Sequence, residues 1–297
     1  MTPGLLAQLL LNALSLGSVY VLMVLGLDII IRGTKILNFA HGQFYMLGAY
    51  MLLLLFQIMH LDFALSLILA GLTLGLVGAI CYMSIFHVVR QRFTVTTTFS
   101  YRLLLSAMAS VGLMMILQQG TLLLFGTEER GVKTPFPQMI DIFDVRISLM
   151  RVIVILAAII ICLLLYFLMY RTTLGKILRA ISYDPEAVTL AGINTLWILV
   201  FCFALGSALA GIAGGIIAPL FSVTPAMGEN VIFLSLLVLL VGGIGSYRGT
   251  ILGGLLVGLA LSFGFQFLGG IAELFVFLLV IAILSFRPGG LLGEAAD

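Results

Sequence analysis

A short run of polar residues interrupts the apolar sequence near the start of the chain. It reads Asn38-Phe39-Ala40-His41-Gly42-Gln43-Phe44-Tyr45 and follows closely on Arg32-Gly33-Thr34-Lys35. Amide, imidazole and phenol groups can all hydrogen-bond a small polar solute, and Gly42 allows the backbone to bend or unwind. A helix interrupted at such a point exposes backbone and side-chain polar groups to a cavity, as in many transporters.

Two interpretations of this run are open. In the first, its polar side chains line a path for a solute, because strongly polar groups inside an apolar helix are costly and are usually functional. The residues concerned are Asn38, His41, Gln43 and Tyr45. In the second, Asn38, His41 and Gln43 only tie helix ends together by hydrogen bonds. In either case we expect Asn38 to cap the helix that follows.

A second informative run is the polar connection at about 171–194. Asp184 is a suitable N-cap, Pro185 suits the first helical turn, and Glu186 favours the positive end of a helix. Gly192 is placed to end that helix two turns later. An isolated helix of this length is unstable in water, so it must rest on something. Docking into another protein is favoured over packing against the chain's own bundle.

Patterns that would indicate catalysis or a bound cofactor are missing from the sequence. Gly175-Lys176 lacks both the earlier glycine and the following hydroxyl of a phosphate-binding loop, and neither HExxH nor GxSxG occurs. Cys81, Cys162 and Cys202 lie far apart in apolar segments and are interpreted as small core residues. The net charge of +2 does not indicate a nucleic-acid partner. We therefore predict no enzyme activity, metal or cofactor in this chain.

The elements that must position these residues are apolar helices. The sequence is 62% hydrophobic and 9% charged, whereas roughly a quarter of residues are charged in soluble domains. A run of about 20 apolar residues can cross the hydrocarbon core as a helix. Apolar segments fall near 5–31, 36–57, 63–88, 103–125, 148–170, 195–220, 230–246, 250–268 and 270–286. The sequence predicts one all-α, polytopic bundle over 1–297, with about eight to ten spans and one broken or re-entrant helix.

Basic residues in short connections predict the orientation, because cytoplasmic loops are enriched in Lys and Arg. The 88–102 connection carries Arg90, Arg92 and Arg102, and the 171–194 connection carries Arg171, Lys176 and Arg179. The 126–151 connection mixes acids, including Asp144, with basic residues. We therefore place the first two in the cytoplasm and the third outside. Counting the apolar segments from these connections toward each end of the chain places the C-terminus in the cytoplasm and the N-terminus outside.

Glycines spaced by four put small residues on one helix face, where backbones can approach closely in lipid. Packing within one subunit is favoured over self-association. The sets are Gly71/Gly75, Gly211/Gly215, Gly245/Gly249/Gly253 and Gly254/Gly258. Titratable groups within the apolar segments are few, and Asp28 is predicted to pair with Arg32 at the i,i+4 spacing.

Several blocks of the sequence are similar to one family along almost its whole length. They are Leu16–Tyr20, Ile36–Gly42, Met46–Tyr50, Leu174-Gly175, Arg179-Ala180, Asp184, Ala191–Asn194, Gly242–Ser246 and Arg287–Gly293. The chain resembles the bacterial branched-chain amino acid ABC transporter permeases, especially the H-type subunit of the leucine/isoleucine/valine system. Relatives carrying urea, short amides or aromatic acids leave the solute open, because the 126–151 connection departs most from the family pattern.

This resemblance implies an inner-membrane permease subunit that works with separate partners. These are a second homologous permease, two ABC ATPase subunits that bind ATP and Mg²⁺, and a periplasmic solute-binding protein. The 184–193 helix would be the coupling helix seated in an ATPase cleft, since Glu186-Ala187 and Gly192 look like a reduced EAA…G loop. The implied coupling residues are Arg179, Asp184, Glu186, Ala187 and Gly192.

Two rival functions remain open at this point. An ion-coupled secondary transporter would need Asp28 or Glu273 as its coupling site, because such carriers usually keep acids within the membrane. A passive channel for small neutral solutes such as urea would need neither ATP nor an ion gradient.

Overall fold

The computed structural model describes residues 3–92, 99–142 and 145–293. In that part of the chain, helices make up nearly all of the regular structure. The helices are α1 (Pro3–Thr34), α2 (His41–Leu52), α3 (Phe63–Cys81), α4 (His87–Arg92), α5 (Phe99–Phe125), α6 (Leu149–Arg171), α7 (Thr173–Tyr183), α8 (Pro185–Leu190), α9 (Thr195–Ile217), α10 (Met227–Gly242), α11 (Tyr247–Leu268) and α12 (Ala272–Phe286). Two strands, β1 (Met139–Ile142) and β2 (Val145–Ser148), form a hairpin, and π-helical turns extend α2 over Leu53–Ile58 and α3 over Tyr82–Phe86.

Six helical stretches of the described residues are long and apolar enough to cross a membrane. They are Gly4–Thr34, Phe63–Gln91, Leu103–Phe125, Leu149–Arg171, Thr195–Ile217 and Tyr247–Phe286. The prediction of an all-α polytopic bundle is confirmed. The six stretches do not reach the predicted eight to ten spans, because α11 and α12 count together as one stretch of 40 residues and α10 has only 16. The break at Gly269 still separates the two predicted apolar segments.

Small residues hold the helices together within the chain, as the glycine spacing predicted. Helix α1 packs along α9 and α11, and α9 also packs against α2 and α3. A Cβ on Gly71 of α3 would lie 2.8 Å from the Ile212 side chain of α9. One on Gly254 of α11 would lie 3.1 Å from the backbone nitrogen of Val21 in α1. Gly245 is different, since it lies in a turn and a Cβ built on it would meet no atom within 4 Å.

The connections segregate to two ends of the bundle. Lys35 lines one cavity with Arg90 and Pro185, and a second cavity with Arg179 and Arg248. The connections with a basic excess therefore share one end, here called the basic end. This is the grouping that the orientation argument requires, although residues 93–98 and Asp144 of the connections lie outside the described residues.

The opposite end carries the 126–151 connection. Its backbone pairs with the α9–α10 connection through an isolated bridge between Arg130 and Val223. The Lys133 amide also donates to the Gln57 side chain over 2.9 Å. The sequence interpretation missed the antiparallel β1–β2 hairpin in this connection, where Ile140 pairs with Ile147. Strands of four residues give too short an alternation to stand out beside long apolar helices.

The glycine contacts lead to a stability prediction at the α2–α9 crossing. A Cβ on Gly48 of α2 would lie 2.6 Å from the Gly211 Cα of α9, where backbone rather than a flexible side chain blocks it. We expect Gly48→Ala to destabilise the purified protein by about 1–3 kcal/mol, measured as a lower unfolding temperature in detergent. The control is Gly112→Ala in α5, where nothing lies within 4 Å. Equal unfolding temperatures for the two variants would contradict this packing.

Candidate functional site

The first part of the candidate site is the irregular stretch 35–40 between α1 and α2. Helix α1 ends at Thr34, whose hydroxyl donates to the Ile30 carbonyl over 2.7 Å, and the Lys35 amide makes the last bond of the helical ladder, to the Ile31 carbonyl over 2.9 Å. Lys35 then adopts a positive φ of 56°. Irregular backbone is tolerated at membrane depth only when protein covers it or it lines a cavity. The stretch 35–40 therefore interrupts the helical backbone between α1 and α2 and is here called the α1–α2 break, whereas the interruption expected at Gly42 is absent because Gly42 lies inside α2.

Helix α5 satisfies part of the irregular backbone. The Ser110 hydroxyl accepts a hydrogen bond from the Phe39 amide over 3.0 Å. Its single proton lies within reach of two carbonyl oxygens, that of Ala107 in its own helix at 2.7 Å and that of Leu37 at 3.2 Å. The sequence interpretation missed Ser110, because a single serine in an apolar helix carries no local signal of a long-range partner.

Asn38 does not cap α2, so that prediction was wrong. The helix begins at His41 with Ala40 at the N-cap position and no side-chain cap. Asn38 lies two residues before the N-cap position, and only its backbone carbonyl takes part, accepting from the His41 amide over 3.3 Å. Its side chain is 1% exposed, and neither amide atom has a hydrogen-bond partner. Buried polar atoms of this kind need an explanation, and an intermittent ligand is one.

His41 joins α2 to α1. Its Nε2 lies 3.0 Å from the Met23 carbonyl oxygen, and only a protonated nitrogen can donate to that oxygen. In the neutral ring Nδ1 is then an acceptor, and it has no partner. The ring packs close to Gly26, where a Cβ would lie 3.2 Å from His41 Cε1. His41 therefore ties two helices together, as the second interpretation proposed, and keeps one free acceptor.

Gln43 points toward a different helix, α10. A Cβ on Gly228 would lie 3.0 Å from Gln43 Oε1, and both side-chain amide atoms of Gln43 lack partners. Gly42 lies inside α2 and provides close contact with Gly228 rather than an unwound backbone. Ser235 lies two turns after Gly228 on the same face of α10 and is also buried without a partner. Ser235 was missed for the same reason as Ser110.

The four predicted path residues are therefore all inside the bundle but do not form one cluster. Their exposed fractions are 4% or less. His41 contacts α1, whereas Gln43 faces α10 and Asn38 belongs to the linker. Among the described residues the side-chain amides of Asn38 and Gln43 have no hydrogen-bond partner, so neither side chain ties helix ends together by a hydrogen bond. Their chemistry is uncharged hydrogen bonding on both the donor and acceptor sides.

The second part of the candidate site is α8, which has the predicted caps. Asp184 Oδ1 accepts from the Glu186 amide over 2.9 Å and from the Ala187 amide over 3.0 Å. At the other end Gly192 has a φ of +82°. The Gly192 amide donates to the Thr189 carbonyl and the Ile193 amide to the Val188 carbonyl. This is a Schellman motif, which requires the left-handed backbone that glycine adopts without strain.

Most of α8 is exposed at the basic end. Val188 is its buried residue, whereas Glu186, Ala187 and Thr189 are exposed. Leu190 is 90% exposed and the preceding Tyr183 is 82% exposed. Large apolar side chains at that exposure outside the spans are suited to a partner's pocket.

The helix that supports α8 was not predicted. Helix α7 is amphipathic and buries Gly175, Leu178 and Ile181 against the bundle. Arg179 lies on α7, where it donates to the Met169 carbonyl and its guanidinium lies 5.2 Å from the centre of the Tyr170 ring. Arg179 thus fastens α7 to the end of α6 and is not on the exposed face of α8.

The predicted ion pair between Asp28 and Arg32 is confirmed, with 2.6 Å between Oδ2 and Nη2. The other carboxylate oxygen of Asp28 accepts from the Gly245 amide over 3.1 Å. Both oxygens of this buried acid are therefore engaged in holding α1 to the α10–α11 connection.

Comparison with known proteins gives a match over nearly the whole chain. The sequence model of a family described as "Branched-chain amino acid transport system / permease component" matches residues 9–284. The high-affinity branched-chain amino acid transport system permease protein BraD of Pseudomonas aeruginosa is 29% identical over 297 residues, covering 97% of this chain and 95% of BraD. LivH of Escherichia coli, with the same description, is 27% identical over the same shares.

An archaeal protein is similar too. A probable branched-chain amino acid transport permease protein LivH of Methanocaldococcus jannaschii is 27% identical, covering 95% of this chain and 91% of that protein. No solved structure gives a significant match.

The caps of α8 give a prediction about local order. We expect Asp184→Ala to remove about 1 kcal/mol of helix stabilisation, because two amides lose their acceptor. Asp184→Asn should keep it, since asparagine caps about as well as aspartate. Hydrogen–deuterium exchange of the 186–190 amides should be about fivefold faster in the alanine variant only. Equal exchange in both variants would mean that the cap does not stabilise α8.

Proposed function

This chain belongs to the family of branched-chain amino acid transport permease components, and on that basis we propose that it is the membrane-spanning subunit of a binding-protein-dependent ABC importer. The observation that supports the proposal most strongly is α8, a capped and exposed helix that stands on α7 at the basic end. A helix so short needs a partner to hold it, and an ATPase subunit is the partner that an importer supplies. ATP and Mg²⁺ then bind to that partner, and this chain performs no chemistry.

The contacts of α8 suggest how movement reaches the membrane. Pro185 of α8 lines a cavity of about 240 Å³ together with Thr34 and Lys35 of the α1–α2 break. The Asp184 amide also donates to the Ala180 carbonyl of α7 over 2.9 Å. This bond connects α7 to α8, so the two helices would move together. Closure of two ATPase subunits on ATP would displace α8, and the break that carries Asn38 lines the same cavity as Pro185.

Alternating access then follows from differential binding. ATP favours the global state in which the two ATPase subunits are closed, and the bundle follows because α7 is fastened to α6 and α1. The buried amides of Asn38 and Gln43 would become accessible to a solute in one of these states. The solute would pass between this chain and a second, homologous permease.

The proposed solute is a branched-chain amino acid. The relatives named BraD and LivH are described as permeases for this class. Asn38, His41, Gln43 and Tyr45 provide uncharged hydrogen-bonding groups on the path, which suits a solute whose charges cancel. The orientation proposed from the basic residues puts the C-terminus and α8 in the cytoplasm, within the inner membrane of a bacterium. The β1–β2 end would then face a periplasmic solute-binding protein.

The energy source separates this proposal from its rivals. The complex purified through this chain is reconstituted with its binding protein in vesicles, and uptake of labelled leucine is measured with and without ATP in the lumen that faces the ATPase. The proposal requires copurified ATPase subunits and ATP-dependent uptake. Uptake that continues without ATP but is lost when the ion gradient is dissipated would indicate a secondary transporter. Uptake of leucine or urea that needs neither source would indicate a channel.

A charge on the exposed face of α8 tests the docking step. We expect Leu190→Asp to reduce copurification of the ATPase by about tenfold or more, because an apolar anchor is replaced by a charge that the interface would have to desolvate. Met139→Asp is the control, since Met139 is 67% exposed on β1 at the opposite end. Unchanged ATPase recovery with Leu190→Asp would exclude α8 as the docking helix.

The path residues are tested at Gln43. Replacing Gln43 by leucine keeps the volume approximately but removes the amide, and we expect leucine uptake to fall roughly tenfold with ATPase copurification unchanged. Gln119→Leu, an exposed glutamine of α5, should have no effect. If alanine at Asn38, His41 and Gln43 leaves uptake unchanged in reconstituted vesicles, these residues do not line the path.

A further inference from the structure

A cavity of about 580 Å³ at the basic end collects positive charge from three separate parts of the chain. It lies where α1, α6, α7 and α11 approach one another. Its lining includes Arg32, Lys35, Arg179 and Arg248, together with Tyr170 and Tyr247. Neither the transport path nor the exposed face of α8 explains this convergence.

Among the described residues that line the cavity there is no acid. Asp28, outside that lining, pairs with Arg32. Arg179 has a carbonyl and an aromatic ring as partners, neither of which carries a negative charge. Lys35 and Arg248 are exposed at the cavity wall. A cavity with this charge favours an anion, and Arg and Lys are the usual donors to phosphate oxygens.

An apolar groove lies next to the basic cavity and shares the lining residue Tyr247 with it. The groove has a volume of about 270 Å³ and runs between α1, α6 and α11, with Ala158, Ile159 and Leu163 along one side. The Tyr247 hydroxyl donates to the Cys162 carbonyl over 2.5 Å, which fixes the ring at the junction.

The dimensions match one leaflet of a bilayer. Helix α6 rises about 1.5 Å per residue, so the stretch from Ala158 in the groove to Tyr170 at the cavity covers about 18 Å. This length is similar to the thickness of one leaflet, which is half of a hydrocarbon core of about 30 Å. Tyr166 lines the groove and Tyr170 lines the basic cavity, and their ring centres are 4.9 Å apart. Tyrosine is enriched at this depth, where the headgroups meet the acyl chains.

We propose that the basic cavity and the apolar groove together bind one anionic phospholipid. The phosphodiester headgroup lies among Lys35, Arg179 and Arg248, and an acyl chain lies in the groove against α6. Basic pockets between helices on the cytoplasmic side are suited to acidic headgroups. An acidic protein segment would satisfy the charges but would leave the groove empty, so a lipid accounts for both halves of the site.

The bound lipid would connect parts of the chain that the transport cycle moves. Arg179 belongs to α7, which supports α8, and Lys35 lies in the break between α1 and α2. A headgroup that contacts both would stabilise one arrangement of α7 relative to the break, and acidic lipid would favour that arrangement. This effect on α7 depends on the proposed transport cycle. The lipid site itself does not, because it requires only that the chain spans a membrane.

The charged half is tested with a double variant, Lys35→Gln with Arg248→Gln. The full chain in detergent is titrated with phosphatidylglycerol or phosphatidylcholine and bound lipid is counted by native mass spectrometry. We expect phosphatidylglycerol to be preferred, and the double variant to weaken it roughly 30-fold, from about 1 kcal/mol for each basic residue near the headgroups. The control is Arg171→Gln with Lys176→Gln, which removes the same charge from exposed positions outside the cavity lining. Equal weakening by both pairs would overturn a defined headgroup site.

The apolar half is tested by filling the groove. Leu163 lines the groove and is 63% exposed, whereas the neighbouring Leu164 is 64% exposed and is not in its lining. We expect Leu163→Trp to displace phosphatidylglycerol and Leu164→Trp to leave binding unchanged. Inorganic phosphate is titrated in parallel. Phosphate binding that matches phosphatidylglycerol and ignores Leu163→Trp would overturn the lipid assignment in favour of a free anion.

The same variants test whether a protein, rather than a lipid, occupies the basic cavity. The charge double variant is also tested for copurified ATPase subunits. If it loses the ATPase but binds phosphatidylglycerol normally, the basic cavity is a protein contact and the proposal fails. Deletion of residues 294–297 removes Glu294 and Asp297, the acids at the end of the chain. The proposal requires phosphatidylglycerol binding to be equal or stronger after this deletion.

Discussion

Direct contact between helix backbones is the constraint on which the rest of this structure depends. In lipid the hydrophobic effect does not drive apolar helices together, so they associate through close packing and hydrogen bonds. Glycines on facing helices allow that closeness here. A Cβ on Gly26 of α1 would lie 2.7 Å from the Gly206 carbonyl oxygen of α9, and one on Gly228 of α10 would lie 2.5 Å from the Gly42 oxygen of α2. The backbones that carry the polar site residues are therefore fixed by contacts that tolerate no side chain.

This packing also explains why polar atoms can remain without partners inside the bundle. With α2 held against α9 and α10, the side chain of Gln43 is buried away from solvent, and Asn38 in the preceding linker is buried as well. Orphaned buried amides cost stability, and a chain whose stability comes from extensive close packing can retain a few. Their position next to the α1–α2 break places this cost where an incoming solute could relieve it.

The basic end joins three features that are far apart in sequence. Helix α8, the α1–α2 break and the basic cavity meet there because α7 folds back under α1 and the 287–293 segment closes over the α10–α11 connection. The Leu291 amide donates to the Val241 carbonyl over 2.8 Å in that closure. Lys35 is common to the cavity beneath Pro185 and the cavity around Arg248. A displacement of α8 and a charge bound in the basic cavity therefore act on the same few residues.

The sequence by itself determined the class of the protein, the caps of α8, the Asp28–Arg32 pair and the sorting of connections to two ends. These depend on composition or on spacings within one turn, which local physics fixes. Tertiary structure decided that Gln43 points toward Gly228 and that His41 is hydrogen-bonded to Met23. It also decided that Ser110 contacts the α1–α2 break and that Asn38 does not cap α2. Each depends on which helix lies opposite, and apolar helices of similar composition give no local signal of their neighbours. The short hairpin and the position of the basic cavity next to the apolar groove belong to the same group, since both arise only when distant segments are brought into contact.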